Sequence, residues 1–389
     1  MADPLKSAYG PDVVRRIARG LAAADASFRA DAFEADALDG FDALELMPRV
    51  HRIAEALQRH LPSDYPRAIG VLLASLQTTG QARPASPMAA FLYLPHTMYV
   101  ARHAGDAAHF ELSMQALHAL TQRSTAEYAI RPFIERHPER TLARLRQWTA
   151  DDNEHVRRLV SEGTRPRLPW AARLREFQRD PAPVLALLER LKDDPSEYVR
   201  RSVANNLNDI GKDHPALLLA TCGRWLDGEQ LDGAQLPAPR RVLVCHALRT
   251  LLKQCDPQAL ALLGFGGRTT LAIREIAIEP REPRIGERLR IAIELRNDGQ
   301  WTLRVLADLR IHYVKADGSV QPRVFRLQSL ELSPGQRRTL RKTVSLQQMT
   351  TRRHYPGTHR IELLLNGDAH ALGEFVLHPS ERDRSDPRP

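Results

Sequence analysis

A chain of 389 residues with 43% hydrophobic content is long enough for two buried cores, and its 56 Lys+Arg against 47 Asp+Glu leave a net +9 that favours an anionic partner such as nucleic acid or a membrane surface. Three cysteines (Cys222, Cys245 and Cys255) form neither a CxxC pair nor an even disulfide set, so a secreted scaffold and a zinc ribbon are both unsupported. The start MADPLKSAYGPDVVRRIARG lacks an apolar h-region and no run approaches the roughly 20 apolar residues of a membrane helix, so a soluble, unexported cytoplasmic protein is expected.

Up to about residue 262 the apolar residues recur at three and four, with Pro, Asp and Gly at the breaks, as in short amphipathic helices. Val50, Ile53, Ala54 and Leu57 make one stripe, and Phe110, Leu112, Met114, Leu117 and Leu120 make a looser one. Further on, HPERTLARLRQWTADDNEHVRR (137–158) and DPAPVLALLERLKDDPSEYVRR (180–201) align Pro138 with Pro181, Leu142 with Leu185, Leu145 with Leu188 and Arg158 with Arg201 at a constant offset of 43. That offset lies within the period of roughly 40 to 47 residues of HEAT-like repeats, in which paired helices stack to bury a face neither could bury alone. A third, shortened copy begins at Pro215 in HPALLLATCGRWLDG. An earlier one is expected around AEYAIRPFIERHP, where Tyr128, Ala129, Ile130 and Arg131 echo Tyr198, Val199, Arg200 and Arg201. The expected fold is mainly α, a HEAT-like helical solenoid.

Near GFGGR (264–268) the pattern changes to period-two alternation, as in LRIAIELRN and TLRVLADLRIHYV, punctuated by Asp298-Gly299, Asp317-Gly318, Pro334-Gly335 and Asn366-Gly367. About seven strands with turns every 10 or so residues fit an immunoglobulin-like β-sandwich without a Cys pair. The expected division is a repeat domain at 1–262, a linker at 263–269, the sandwich at 270–379 and a disordered tail at 380–389. From Arg268 onward 22 basic residues face 15 acidic ones, a net +7, which makes the sandwich a second candidate DNA-contacting surface with Arg337-Arg338, Arg341-Lys342 and Arg352-Arg353.

Arg157-Arg158 and Arg200-Arg201 fall near the starts of equivalent repeat helices, where backbone N–H groups also favour phosphate. The plainer alternative is that such arginines pack along neighbouring helices or are solvated. Between the pairs, SEGTRPRLPWAARL places Glu162 at a helix end and Arg165, Pro166, Arg167, Pro169 and Trp170 in a stiff connection, so Trp170 is held rather than floppy. A Trp flanked by arginines can pack on a sugar or face a cationic base; otherwise it braces two helices. Asp209, eight positions beyond Arg201, is expected on the same helical face. Carboxylates among arginines either pair with them or need another reason to sit beside phosphate. His103, His109 and His118 match no ligand spacing, and Cys245 and His246 are neighbours that diverge on a helix, so no metal, nucleophile pair or cofactor is assigned.

At these residues the chain resembles the AlkC branch of the AlkD-like DNA-alkylation-repair glycosylases. The resemblance is carried by PLKSAYGPDVV, RHLPSDYPRAI, FELSMQAL, RSTAEYAIRPFI, NEHVRRLVSEGTRPRLPW and PSEYVRRSVANNLNDI, across most of residues 4–226, and the branch often carries an immunoglobulin-like domain after the repeats. It implies excision of 3-methyladenine and 3-methylcytosine from double-stranded DNA by a monofunctional enzyme, without full base flipping. It also implies active-site positions at Glu127, Glu162, Trp170 and Asp209; DASFRADAFEADAL and SLQTTGQARPAS match less distinctly and receive no role. DNA backbone contacts are expected from Arg157, Arg158, Arg165, Arg167, Arg200 and Arg201, in a cytoplasmic, nucleoid-associated monomer with no membrane partner. The chemistry fits carboxylates without a lysine nucleophile: an N3-alkylated base is already cationic, leaves as a neutral base, and its departure leaves an oxocarbenium ion to be stabilised. The rival reading is a non-catalytic HEAT scaffold binding nucleic acid or protein. Carboxylates far apart, or buried in ion pairs, would favour it.

Overall fold

Helices form along the first two thirds of the chain wherever the three-and-four spacing runs. The computed structural model describes residues 9–76, 92–227, 238–265, 271–349 and 353–380. Among them the helices are α1 (Pro11–Ala24), α2 (Ala30–Leu38), α3 (Leu46–His60), α4 (Tyr65–Ala74), α5 (Leu94–Arg102), α6 (Phe110–Thr121), α7 (Arg131–Arg136) and α8 (Pro138–Trp148). They continue with α9 (Glu154–Gly163), α10 (Arg175–Arg179), α11 (Ala182–Leu191), α12 (Glu197–Ile210), α13 (Pro215–Asp227), α14 (Ala238–Ala247), α15 (Arg249–Lys253) and α16 (Pro257–Leu262). Local signals set several starts: the Asn153 side chain accepts from the His155 N–H at the head of α9, and Asp64 accepts from Arg67 at the head of α4. No helix among the described residues is long and apolar enough to cross a membrane. The proposed tail from residue 381 and most of SLQTTGQARPAS lie outside the described residues.

The 43-residue offset is a physical repeat: it carries α7 onto α10, α8 onto α11 and α9 onto α12, each start matching to within a residue or so. Val156, Leu159 and Val160 of α9 and Val199, Val203 and Leu207 of α12 are buried, and each such side chain contributes about 1.5–3 kcal/mol. The Val50, Ile53, Ala54 and Leu57 stripe is fully buried; in the looser stripe Leu112 is only half-buried. The echo of Tyr198 in Tyr128 is not a repeat register, because residues 128–130 form the turn ahead of α7, whereas Tyr198 lies inside α12. At the end of α9, Gly163 allows close packing: a Cβ there would stand 2.5 Å from Ile130 Cγ2.

The chain divides into two compact units, Met1–Ala247 and Leu248–Pro389, so α15 and α16, grouped with the repeats by their sequence pattern, fall within the second unit. Seven strands follow: β1 (Leu271–Glu279), β2 (Arg288–Asn297), β3 (Leu303–Val314), β4 (Val320–Leu332), β5 (Arg337–Ser345), β6 (Gly357–Leu365) and β7 (Asp368–Leu377). They form an antiparallel sandwich of two sheets, β1-β2-β5 and β4-β3-β6-β7. The alternation is visible in β2, where Leu289, Ile291, Ile293 and Leu295 enter the core while the alternate residues Arg288 and Arg290 are exposed. The four turn dipeptides fall between successive strands, and Asn366 (φ 50°) with Gly367 (φ 94°) supplies the paired left-handed conformations of a tight hairpin turn.

Candidate active site

The loop preceding α7, the last turn of α9, the loop after it and the inner face of α12 meet in one chain of opposite charges. Arg158 Nη1 donates to Glu127 Oε2 at 2.7 Å and to Thr125 Oγ1 at 3.2 Å, and its Nη2 lies 3.8 Å from Glu162 Oε1. Arg165 joins the next two carboxylates, with Nη1 2.6 Å from Glu162 Oε1 and Nε 2.8 Å from Asp209 Oδ2. Lys212 closes the series on Asp209 Oδ1 at 2.8 Å, and the Ser202 hydroxyl donates to Glu162 Oε2 at 2.6 Å. Neighbouring carboxylates share one guanidinium, so they lie well within the roughly 10 Å over which they could act on one sugar and one water.

All three carboxylates are buried, Asp209 to 1% exposure, and for Glu162 burial alone would favour the neutral form. For Glu162 that upward push is outweighed by Arg158 and Arg165 and by the hydrogen bonds from Ser202 and Arg165, so its pKa lies below the ordinary carboxylate range. Burial lowers the pKa of Arg165, but Glu162 and Asp209 more than compensate and hold it above the usual guanidinium value. Beside them, burial followed by the charges of Glu127 and Glu162 pushes the Tyr128 hydroxyl up to about 12, so it remains a neutral phenol. The Arg158 guanidinium also stands 4.9 Å from the Tyr198 ring centroid, a cation–π contact.

A second buried arginine fixes the loop that follows Glu162. Arg131 donates to the carbonyls of Gly163 at 3.1 Å and Arg165 at 2.8 Å, and also to that of Ala172. Burial lowers its pKa to about 10. Between those anchors Trp170 has φ 63°, a left-handed conformation that costs a bulky residue about 1–2 kcal/mol, and its side chain is 60% exposed. It is therefore held by the backbone and presented to solvent, and it does not brace two helices.

The six arginines expected at phosphate separate sharply. Arg157 grips Asp194 with Nε at 2.6 Å and Nη2 at 2.9 Å and bonds the carbonyls of Asp151 and Asp152. Arg200, its repeat equivalent, bonds the carbonyls of Asp194 and Pro195. Arg167 forms a fork on Asp213 at 2.9 and 2.5 Å, while Arg158 and Arg165 belong to the carboxylate chain. Arg201 is exposed and takes part in no hydrogen bond or ion pair among the described residues. With Arg200, His246 and Val242 it lines a groove of about 460 Å³ between α12 and α14. Asp209 does not share its face: eight residues at about 100° each leave the two roughly 80° apart, enough to bury one and expose the other.

The sequence pattern gives Ser202 and Lys212 no part in the site, and it marks Tyr198 and Arg131 only as repeat positions. Lys212 is within reach of that pattern, three residues after Asp209, but the others owe their places to contacts across the repeat. Among the described residues no group of three His, Cys, Asp or Glu is placed to hold a metal; His109 meets Asp106 and His118 meets Asp151, each at 2.7 Å.

Residues 47–221 match the family model described as a DNA alkylation repair enzyme, and residues 272–379 match the C-terminal Ig-like domain of YhaZ. The chain is 34% identical over 378 residues to the uncharacterized protein YhaZ of Bacillus subtilis (strain 168), covering 97% of this chain and 100% of that one. Among solved structures it is similar to the alkylpurine DNA glycosylase AlkC of Pseudomonas fluorescens bound to DNA containing an abasic site analog. The identity there is 37%, the TM-score 0.88, and the match covers 97% of this chain and 100% of that chain. A β-glucosidase from Listeria innocua aligns with 29% of the chain at a TM-score of 0.25, too poorly to carry any argument.

Proposed function

Because the chain belongs to the DNA alkylation repair enzyme family, in its AlkC-type branch, we propose that it is a monofunctional DNA glycosylase that releases cationic N3-methylated bases, 3-methyladenine and 3-methylcytosine, from double-stranded DNA. The observation that carries this reading is the convergence of Glu127, Glu162 and Asp209 through two shared guanidiniums. In the reaction the C1′–N bond breaks with its electron pair leaving on the base, which thereby becomes neutral. The sugar is left as an oxocarbenium ion that ionised carboxylates stabilise. Water then forms the new C1′–O bond and gives its proton to a carboxylate or to solvent. Trp170, exposed on its strained loop, packs against the deoxyribose, and the base need not be fully flipped into a pocket.

The DNA backbone is met in this reading by Arg200 and Arg201 at the groove between α12 and α14 and by the basic sandwich. There Arg337, Arg338 and Arg341 stand exposed on β5, and Arg353 is exposed as well; Arg352 lies outside the described residues. Deleting residues from about 268 onward is expected to weaken DNA binding and excision together, measured by DNA titration and base release.

Burial of the carboxylates in ion pairs is what a non-catalytic scaffold would also display, and it is the one feature that favours that rival. One experiment separates the two: the protein is incubated with dimethyl-sulfate-treated DNA and released bases are identified by chromatography. The glycosylase reading expects 3-methyladenine and 3-methylcytosine from the wild type and none from Glu162→Gln, with DNA affinity intact or higher. No methylated base from the wild type would leave the scaffold reading in front, and a fully active Glu162→Gln would remove Glu162 from the mechanism.

A further inference from the structure

Arg165 was expected at a phosphate, but it is only 8% exposed, and its Nε and Nη1 already reach Asp209 and Glu162. A group so enclosed, with two of its nitrogens on buried carboxylates, is committed to those anions rather than to a phosphate on the surface of a duplex. We propose that Arg165 is a positioning residue: it holds Glu162 and Asp209 in place and turned toward the same point, and it makes no contact with DNA. This inference rests on the glycosylase reading, since it names how that site is kept in order.

Three observations support the assignment. Arg165 is the link common to the carboxylate at the end of α9 and the one on α12, so it ties the two repeat helices at the level of their acidic groups. Its own backbone is fixed independently, because its carbonyl accepts from Arg131 Nη1 at 2.8 Å and its N–H donates to Glu162 O at 3.3 Å. A planar fork anchored at its base can set the direction of two carboxylates, which a flexible ammonium cannot do as well. The charged and titratable groups around Glu162 are Arg158 on its own helix, Arg165 on the following loop, Glu127 and Tyr128 ahead of α7, and Asp209 with Lys212 near the end of α12. Removal of Arg165 leaves Arg158 as the cation of this set that still reaches Glu162, and Lys212 as the one on Asp209. Glu162 is then easier to protonate.

The test uses the full chain and a duplex carrying 3-methyladenine, under single-turnover conditions with DNA affinity measured on the same samples. Release by the wild type is the control, and its absence would count against the glycosylase reading and not against this one. For Arg165→Gln the expected result is a rate lower by about 100-fold with DNA affinity within twofold of wild type, as a misplaced catalytic group gives. Its rate should also climb with pH through the neutral range, where the wild-type profile is flat. Arg165→Lys, which keeps the charge without the fork and guards against a glutamine variant that fails to fold, should recover part of the rate and most of the flat profile. The proposal is overturned if either folded variant keeps the wild-type rate at saturating DNA, or loses affinity about tenfold with a salt dependence shallower by about one charge, the pattern of a lost phosphate contact.

Discussion

Arg158 and Arg201 occupy the same place in successive repeats, 43 residues apart, and do opposite things. The first is turned inward between Glu127 and Glu162 over the Tyr198 ring; the second is exposed beside a groove. Their predecessors have not diverged in the same way, because Arg157 and Arg200 both hold carbonyls of the turn before their own helix, at residues 151–152 and 194–195. The duplicated part of the unit therefore maintains the repeat itself. On the glycosylase reading, function enters at the positions where the copies differ. The same offset sets Glu127 opposite Trp170 and Gly163 opposite Asn206, whose amide donates to the Ser161 carbonyl and to the Thr164 hydroxyl.

The comparison can be broken most forcefully at its central pair. Replacing Arg158 with Met leaves buried Glu127 without its cation and takes one of two from Glu162, and is expected to reduce stability by about 3–5 kcal/mol in urea unfolding. Arg201→Met should stay within about 0.5 kcal/mol of wild type, as a surface change does. Equal losses at the two positions would show that the copies have not diverged. Next in size are the matched substitutions at the end of the unit. Asn206→Ala leaves buried groups unsatisfied and should cost about 1–3 kcal/mol, and Gly163→Ala should cost a similar amount because its methyl meets Ile130.

Acid titration gives a subtler effect. Because the folded-state pKa of Glu162 is depressed, its contribution to stability is present above its unfolded pKa and is lost as pH falls through the folded value. Melting temperature should therefore fall in acid, and the fall should be smaller in Arg158→Gln, where the Glu162 pKa is less depressed; unchanged acid profiles would contradict the account of the pairing. The smallest effect concerns Trp170. Glycine adopts φ 63° without strain, so Trp170→Gly should be more stable than Trp170→Ala by about 1 kcal/mol in thermal melts, although both lose the exposed ring.

Much of this was legible in the chain of letters because it depends on local periodicity. The offset of 43, the end of α9 just past Glu162 and the turn dipeptides between strands all rest on spacing and capping chemistry that neighbouring residues decide. The acidic positions were legible through resemblance, and their convergence was not, since Glu127 reaches Arg158 across 31 residues and Arg165 reaches Asp209 across 44. In the sequence the arginines form one class, six cations facing a polyanion. Burial sorted them: four are committed to carboxylates, Arg200 to backbone carbonyls, and Arg201 is left facing solvent. The division at Ala247 and Leu248 was equally hidden, because α15 and α16 have the apolar spacing of the repeats.

The claim that duplicated positions have separated into chemistry and grip is tested most directly by measuring excision rate and DNA affinity side by side for Arg158→Gln and Arg201→Gln. The account predicts that Arg158→Gln loses single-turnover release of 3-methyladenine by about 100-fold while binding DNA as the wild type does. Arg201→Gln should bind several-fold more weakly with a shallower salt dependence and keep its rate at saturating DNA. If both variants lose affinity alone, or both lose rate alone, the two repeats do the same work and the account is wrong.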